Sequence, residues 1–423
     1  MFTTTIGARM RVLLVTMYFP PAGGGGVARP VKTSGQLAEL GFEVHVLAPD
    51  DPKWIARDEE ASIPAGVLVH RARYVGPRGL LPAEELHGRE GLDRALRQAG
   101  LFYRRVLLPD EFVSWSATAI PAAIKIVRRE SIDVVVTTSP PPSINLIGAA
   151  VKRATSVPWV ADLRDSIAAN PDRRVESLAV RVKERGQRMV AQLVARSADA
   201  VVAVTPTIAD EMRELGAARV EVIPNGSDFD DFEGLEYRRG DRFRITHTGT
   251  FFGKRDPRPF LEALSRSGPE VVARFVGGLR AADQEWAEAK GLGGRIEVLP
   301  HVPRRVALEL QRDSEALLLL LPEAGGRGKT VPSGKIFEYL AAERPILAAV
   351  PPDGVAAQMV REAGAGVVVP PHDVESISTA LDGLVKRWRA GALDGAPLEP
   401  GLKERLSRKT RTCEFADLLE SLE

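Results

Sequence analysis

The chain has 423 residues, enough for two or three domains, and its 44% apolar and 27% charged residues are typical of a soluble globular protein. A formal net charge of +1 argues against a generic nucleic-acid binder, which carries a concentrated basic excess. Cys413 is the only cysteine, which excludes an intrachain disulfide and a cysteine metal cluster and fits a reducing cytoplasm.

Alternating apolar runs and helical patterns in the first half of the chain predict a parallel α/β sheet. Residues 12–17 form a short, continuous apolar run, which is typical of a strand buried on both faces of such a sheet. A glycine-rich loop, a helix over 31–40 that ends at Gly41 and a strand over 44–48 follow, which is the spacing of a βαβ unit with a right-handed crossover. Further strands are predicted at 67–71, 132–137, 158–161, 200–204 and 220–223, and helices at 143–153, 180–196 and 207–215.

The polar, acidic and turn-rich stretch 224–234 is interpreted as a hinge between two domains. A second alternating series follows it. Its strands are predicted at 243–248, 273–277, 296–299, 316–321, 345–350 and 366–369, and its helices at 257–265, 281–290, 304–312 and 373–386. A break at 394–401 precedes a last amphipathic helix over 403–422.

The two halves share one architecture, so the sequence predicts an α/β protein with two doubly wound, Rossmann-like domains. We expect these domains at 1–226 and 227–402, followed by a C-terminal helix at 403–423. In such sheets ligands bind outside the carboxyl ends of the strands, so we expect the site in a cleft where the two domains face each other.

The stretch 327–347 combines a loop of small and basic residues, a helix and a buried strand. Ser333 is a good N-cap, because its hydroxyl can accept a hydrogen bond from a first-turn amide, and an apolar stripe follows it. The helix start at Ser333, Gly334 and Lys335 suits a phosphate group, and Glu338, on the same face as the loop, suits a ribose diol. The alternative is a surface helix that merely caps itself.

Glycines at 23–26 form a loop after the first strand. Five residues separate that strand from Gly23, whereas a dinucleotide-binding loop needs its first glycine close to the strand end. We therefore interpret Gly24, Gly25 and Gly26 as a flexible loop that contacts an anion or an acceptor molecule. A plain mobile connection is the alternative.

The segment 247–256 has a similar place at the head of the second domain. Gly249 and Thr250 follow the strand, and glycine lets the backbone approach a ligand closely. Arg255 can fork two phosphate oxygens, and Lys254 adds a point charge. A solvated basic turn is the alternative.

Asp162, Arg164 and Asp165 lie at the end of a first-domain strand, where the catalytic side chains of α/β proteins gather. Either they form a mutual ion-pair network, or they shape the acceptor side of the cleft. No metal site is predicted, because the six histidines are scattered without ligand spacing. No phosphate-binding P-loop is predicted either, because the glycine that its spacing requires at 324 is an alanine.

Taken together, these stretches resemble glycosyltransferase family 4, whose members are retaining enzymes of the GT-B fold. The resemblance covers nearly the whole chain and is most specific in its last motif. It is carried by Tyr18-Phe-Pro-Pro with the glycines after it, Asp162-Leu-Arg-Asp, His247-Thr-Gly-Thr with Arg255, and Pro332-Ser-Gly-Lys-Ile-Phe-Glu-Tyr-Leu-Ala-Ala.

The resemblance implies a nucleotide-sugar donor, UDP- or GDP-linked, held by the second domain, with no further cofactor and no metal. It also implies that the C-terminal helix at 403–423 packs back on the first domain. Gly249, Lys254 and Arg255 match the diphosphate-binding turn, and Glu338 matches the carboxylate that holds the donor ribose. Many members carry a second glutamate eight positions earlier, near the donor sugar, where this chain has Thr330. Many also have a histidine in the first-domain loop where this chain has 162–165, so the catalytic contact of that domain departs from the family pattern.

The function that the resemblance implies is the transfer of a hexose-type sugar to a hydroxyl group, in polysaccharide, glycolipid or glycosylated-metabolite synthesis. A double displacement needs a nucleophilic carboxylate and a partner acid, which the motifs do not provide, so we expect stabilisation of the leaving diphosphate by Lys254, Arg255 and the helix start at Ser333. Three alternatives stay open: a sugar-nucleotide 2-epimerase of the same fold, a non-catalytic sugar-nucleotide-binding protein, and an NAD oxidoreductase, which would need a tighter first loop.

The acceptor, which could be a sugar, a lipid-linked molecule or a small metabolite, is not specified by the sequence. The basic amphipathic segment 94–103 could lie on an anionic membrane surface, although such a segment more often packs on its own domain. The longest apolar run, 316–322, is far shorter than the roughly 20 residues of a membrane helix. We expect a cytoplasmic protein that is at most peripheral to the membrane.

Overall fold

The structure is a computed structural model that describes residues 10–24, 26–50, 57–58, 61–77, 91–92, 104, 107–167, 178–251, 255–323, 329 and 332–422. The chain divides into two compact units. The first contains the residues up to Pro224 together with those from Arg411 onward, and the second contains Asn225–Thr410. The division falls at the start of the acidic stretch 224–234.

The first unit is built on seven parallel strands. They are β1 Arg11–Thr16, β2 Glu43–Pro49, β3 Val67–Ala72, β4 Val134–Ser139, β5 Trp159–Leu163, β6 Ala200–Ala203 and β7 Val220–Val222. The helices between them are α1 Ala28–Glu39, α2 Ser116–Glu130, α3 Ile144–Thr155, α4 Leu178–Ser197 and α5 Pro206–Glu214. The strand order is β3-β2-β1-β4-β5-β6-β7, so the direction of winding reverses between β1 and β4.

The second unit repeats this plan with six parallel strands. They are β8 Phe243–Thr248, β9 Val271–Val276, β10 Ile296–Leu299, β11 Ala316–Leu320, β12 Ile346–Ala349 and β13 Gly366–Val369. Its helices are α6 Arg258–Arg266, α7 Ala281–Ala289, α8 Arg304–Arg312, α9 Gly334–Ala341, α10 Val355–Glu362, α11 Val374–Arg389, α12 Pro400–Leu406 and the start of α13 Arg408–Glu420. The strand order is β10-β9-β8-β11-β12-β13, and the winding reverses between β8 and β11.

Both sheets are covered on both faces, which explains why inner strands such as β6, β11 and β12 are continuous apolar runs rather than alternating ones. In the first unit one face packs against α2 and α3, with a core that includes Leu13, Val15, Ile126, Ile147 and Trp159. The other face packs against α1 and the end of α13, with a core that includes Val12, Leu14, Leu37, Phe415 and Leu419. The two faces of the second sheet have cores of their own, one of which contains α9 and α10.

Three parts of the fold differ from the sequence prediction. Helix α2 was not predicted, because Pro121 lies inside it and small residues dilute its apolar pattern. The short helix α10 was also missed. The predicted single helix over 403–422 is wrong: Ser407 is extended (ψ 133°) and separates α12 from α13, because this residue pairs with Ser227 in an isolated parallel bridge.

No helix among the described residues is both long enough and apolar enough to cross a bilayer. The predicted amphipathic segment 94–103 lies outside the described residues.

Candidate functional site

Two glycines meet at the carboxyl ends of the neighbouring strands β8 and β9 in the second sheet. Gly249, just after β8, has φ +104°, and Gly277, just after β9, has φ +102°. The amide of Gly249 donates to the carbonyl of Val276 (2.7 Å). A β-carbon on Gly277 would lie 3.1 Å from the carbonyl carbon of Gly249, so the two loops are in direct backbone contact. Strand β8 borders the reversal point, where open α/β sheets bind ligands. The glycines after β8 and β9 have no side chains, so a ligand can approach their backbone closely.

Lys335, in the first turn of α9, extends over this bare backbone. A β-carbon on Gly249 would lie 2.6 Å from Cε and 2.9 Å from Nζ of Lys335. Burial, together with the neighbouring charge of Arg255, lowers the pKa of Lys335 to about 7, although Glu338 opposes the change. An anion that binds beside this amine would therefore raise its pKa back toward the ordinary lysine value.

Helix α9 begins as the sequence predicted. Ser333 is extended, and its hydroxyl accepts a hydrogen bond from the amide of Lys335 (3.4 Å), which confirms the predicted N-cap. Gly334 is exposed, so the first turn is open to solvent. The predicted apolar stripe is buried, which confirms that part of the interpretation; its residues are Ile336, Phe337, Leu340 and Ala341.

Tyr339 anchors α9 to the end of β8, a contact that the sequence did not indicate. Its side chain is fully buried, and its hydroxyl accepts a hydrogen bond from the amide of Thr248 (3.0 Å). Burial raises the pKa of Tyr339 to about 12, so the phenol stays protonated at neutral pH. The distance between the helix start and Gly249 is thereby fixed.

Glu338 is half-buried, and both of its carboxylate oxygens are engaged. Arg304 donates to Oε1 (2.6 Å), and Gln311 donates to Oε2 (3.3 Å). Neither partner was singled out from the sequence. The signal was present, because Arg304 and Gln311 are two turns apart in the predicted helix 304–312 and therefore share a face.

His247 lies at the same strand end, fully buried and stacked on Phe251 with ring centroids 4.7 Å apart. Its Nδ1 is 2.9 Å from the carbonyl oxygen of Leu318. A carbonyl can only accept, so Nδ1 carries the proton and Nε2 presents a lone pair. Burial, with the charges of Lys335 and Arg255, holds the pKa of His247 well below its usual range, so the ring is neutral. Within the described part of the chain, Nε2 has no hydrogen-bond partner.

Arg255 borders a depression at the carboxyl ends of β11 and β12. The depression is open to solvent and is also lined by Leu321, Ala349 and His372. Thr250 is exposed, and its hydroxyl donates to the carbonyl of Gly277 (3.4 Å). The predicted site residues Lys254 and Thr330 lie outside the described residues.

In the first unit, Asp162 forms its ion pair with Arg29 rather than with Arg164. Nη2 and Nε of Arg29 donate to Oδ1 (2.7 Å) and Oδ2 (3.1 Å) of Asp162, and the hydroxyl of Thr138 donates to Oδ2 (2.7 Å). Both charged side chains are buried, with Asp162 4% and Arg29 9% exposed. Asp162 therefore belongs to a pair that joins β5 to α1, because the forked guanidinium of Arg29 matches both of its carboxylate oxygens.

Arg164 is buried as well, and its guanidinium donates to main-chain carbonyls. Its partners are Gly26 (2.7 Å), Ser139 (3.1 Å) and Pro140 (3.3 Å). Burial lowers the pKa of Arg164. The side chain thus ties the glycine loop after β1 to the loop after β4, at the reversal point of the first sheet. Asp165, one residue further on, is exposed.

The glycine loop itself is only partly described. Gly24 has φ +92°, a conformation that favours glycine. A β-carbon on Gly26 would lie 3.1 Å from the ring of Tyr18, so this glycine packs closely against the aromatic residue before the loop. Gly25 lies outside the described residues. Among the residues that the structure describes, no cluster of three or more His, Cys, Asp or Glu side chains could hold a metal ion.

The chain matches known proteins in two ways. Residues 24–226 match the family model of a glycosyl transferase 4-like domain. No curated protein matches the sequence. Among solved structures, sucrose-phosphate synthase from Thermosynechococcus elongatus is similar with a TM-score of 0.67 and 16% identity, over 98% of this chain and 99% of that one.

Two further solved structures are similar over almost the whole chain. Alr3699/HepE from Anabaena, in complex with UDP-glucose, has a TM-score of 0.63 and 15% identity, over 98% of this chain and all (100%) of that one. The α,α-trehalose 6-phosphate synthase from Burkholderia multivorans has a TM-score of 0.61 and 12% identity, over 98% and 97% of the two chains. Residues 24–226 thus resemble a glycosyl transferase 4-like domain, in a chain that has the GT-B fold of two Rossmann-like α/β domains.

Proposed function

We propose that the protein is a retaining glycosyltransferase that moves a hexose-type sugar from a nucleotide-diphosphate sugar to a hydroxyl acceptor. One observation carries the proposal: the reversal point of the second sheet groups Gly249, Lys335, Arg255 and Glu338 around the open start of α9. Cations and free amides complement a diphosphate, and a carboxylate complements a ribose diol. The UDP-glucose complex of the similar Anabaena protein supports a nucleotide-sugar donor.

The donor diphosphate would meet the first-turn amides of α9 at Ser333 and Gly334, where the helix dipole is positive. Gly249 lets the phosphates approach the backbone, and Arg255 can bind two of their oxygens at once. Lys254 and Thr330 stay predictions, the first as a further phosphate contact and the second as the residue beside the donor sugar.

The reaction breaks the bond between the anomeric carbon and the leaving phosphate oxygen, which takes the electron pair. The acceptor oxygen bonds to the anomeric carbon on the same face, and its proton passes to the diphosphate. Negative charge that builds on the diphosphate is stabilised by Arg255, Lys335 and the α9 amides, and preorganised groups of this kind supply the largest share of many rate enhancements. Glu338 holds the ribose and transfers no proton.

We assign the acceptor contacts to the first unit, at the glycine loop with Gly24, Gly25 and Gly26. Asp165 is exposed near the end of β5 and could hydrogen-bond an acceptor hydroxyl. The buried Asp162 is engaged by Arg29 and Thr138, so we revise its role from a catalytic residue to one that holds β5 against α1. Arg164 fixes the loop through the carbonyl of Gly26.

A peripheral membrane contact is supported by the middle of α4, at residues 181–189. Arg181, Arg185 and Arg188 are exposed there, beside Val182 and Met189, which are 46% and 63% exposed. Exposed arginines around exposed apolar groups complement an anionic lipid surface. Sedimentation with vesicles that contain phosphatidylglycerol tests the contact. Binding that is lost in Arg185→Glu/Met189→Asp supports it, and no binding at low salt contradicts it.

Incubation with a panel of nucleotide sugars separates the transferase from its alternatives. Release of UDP or GDP, by transfer or by slow hydrolysis, is the result that we expect. Isomerisation of the sugar without release of the nucleotide would identify an epimerase, and tight binding without turnover would identify a non-catalytic binding protein.

A further inference from the structure

We infer that Arg304 and Gln311 are positioning residues that set the orientation of Glu338 for the ribose of the donor nucleotide. The inference rests on the proposed function, because it assumes that a nucleotide binds at α9. It adds two residues of α8 to the site, neither of which belongs to the motifs at 247–256 or 327–347.

The geometry divides the carboxylate of Glu338 between two donors. Arg304 Nη1 is 2.6 Å from Oε1, and Gln311 Nε2 is 3.3 Å from Oε2. One donor on each oxygen fixes the plane of the carboxylate. Each oxygen has a second lone pair, so the pair of oxygens can still accept from two vicinal hydroxyl groups.

Gln311 also connects this carboxylate to the phosphate side of the site. The same side-chain nitrogen donates to the hydroxyl of Thr248 (3.0 Å), one residue before Gly249. Gln311 is 1% exposed, and its Oε1 has no hydrogen-bond partner among the described residues. A buried acceptor without a partner lowers the stability of the fold. An apolar side chain of the same size would avoid this loss, but it could not donate to Glu338 and Thr248.

Arg304 is held from the side opposite to Glu338. Its Nη2 donates to Asp231 (3.1 Å) and lies 3.8 Å from Asp228, which is itself paired with Arg408 (2.8 Å). Burial lowers the pKa of Arg304, but the three carboxylates outweigh burial and raise it, so the guanidinium keeps its charge. Because the aspartates fix the position of Arg304, its guanidinium can restrict the movement of the Glu338 carboxylate.

The test uses nucleotides that differ only in the ribose. The purified protein is titrated calorimetrically with UDP, GDP and ADP, and the one that binds most tightly is compared with its 2′,3′-dideoxy analogue. The variants are Gln311→Leu, which removes the donor together with the unpartnered acceptor, and Arg304→Gln. Arg305→Gln is the matched control, since Arg305 neighbours Arg304 but pairs with Glu309 on the exposed side of α8.

We expect Gln311→Leu and Arg304→Gln each to weaken binding of the ribonucleotide by about tenfold, as expected for loss of a hydrogen bond to a charged group. The dideoxy analogue should bind the wild type and every variant equally, because it has no ribose hydroxyl groups for Glu338 to bind. Arg304→Lys, which keeps one donor, should recover part of the loss, and Arg305→Gln should behave as wild type. If Arg304→Gln fails to fold, Gln311→Leu decides alone.

Two results would overturn the inference in different ways. If the variants weaken the ribonucleotide and the dideoxy analogue equally, or weaken neither, the two residues do not act through the ribose and the positioning role is wrong. If wild-type protein binds none of the three nucleotides, the proposed function fails, and the inference that depends on it fails as well.

Discussion

The side chain of Lys335 lies so close to Gly249 that position 249 has no room for a side chain: a β-carbon there would lie 2.6 Å from Cε of Lys335. The φ of +104° at Gly249 independently disfavours every other residue. The lysine therefore crosses directly over bare backbone, and the space beside it is where the proposed diphosphate meets both groups.

Replacing Gly249 with alanine should abolish this arrangement. The left-handed backbone alone costs about 1–2 kcal/mol, and Lys335 must also move away. We expect a lowered melting temperature and at least about a tenfold loss of nucleotide affinity, the factor that corresponds to ~1.4 kcal/mol. Gly291→Ala is the control, because Gly291 has φ +76° with no atom within 4 Å of a β-carbon. Equal affinity losses in both variants would mean that strain, and not the displaced lysine, weakens binding.

Nucleotide binding should take up a proton at Lys335. Its pKa in the free protein is about 7, and a bound diphosphate should raise it toward the ordinary lysine value. More protons are bound in the complex, so affinity should fall as pH rises above 7. At pH 8 the uptake should approach about 0.9 proton per nucleotide by linkage. Calorimetry in buffers of different ionisation enthalpy measures this number, and Lys335→Met should remove it. Uptake that persists in Lys335→Met would assign the proton to another group.

Asp162→Asn should lower stability without removing the chemistry. The change leaves the guanidinium of Arg29, which is 9% exposed, without its carboxylate, and breaking a buried pair in this way costs about 3–5 kcal/mol. The double variant Arg29→Met/Asp162→Leu should recover most of that loss, because it buries no unpaired charge. Urea unfolding measures both effects. Inactivity of folded Asp162→Asn would restore the catalytic role that the sequence suggested.

Arg164→Met should loosen the glycine loop of the first unit. It removes the donor to the carbonyl of Gly26 (2.7 Å) and leaves the carbonyls of Ser139 and Pro140 without the guanidinium. We expect the KM for the acceptor to rise by about tenfold, as for the loss of one or two hydrogen bonds, with an unchanged nucleotide Kd. Arg213→Met, at an exposed arginine of α5, is the control. A raised nucleotide Kd in Arg164→Met would contradict the assignment of this loop to the acceptor.

The strands were the most predictable part of the fold. Strands β8, β10 and β13 and helix α8 have the predicted bounds, because the strands are short β-branched or aromatic runs bounded by Gly or Pro and α8 has a regular helical period. Ser333 was also predictable as a cap, since the capping residue and the apolar stripe are both local features of the sequence.

The partners of the charged side chains were not predictable. Asp162 and Arg29 are 133 residues apart, and the nearby Arg164 is turned toward main-chain carbonyls instead. The sequence shows which residues are charged, but only the three-dimensional fold shows which of them form ion pairs. The same applies to Glu338, whose partners Arg304 and Gln311 come from the preceding helix, and to Lys335, whose contact with Gly249 joins the segments that follow the neighbouring strands β11 and β8.

The most direct test of the central claim is nucleotide release from UDP- and GDP-sugars by wild-type protein, Glu338→Ala and Arg255→Ala. We expect the fold to survive both changes. For Glu338→Ala the reason is that Arg304 keeps Asp231 and Asp228 as partners. We expect turnover by the wild type and at least about a hundredfold less by each variant, the range that removal of one preorganised charge-stabilising group causes. Near-wild-type turnover by Glu338→Ala would contradict the site proposed at α9.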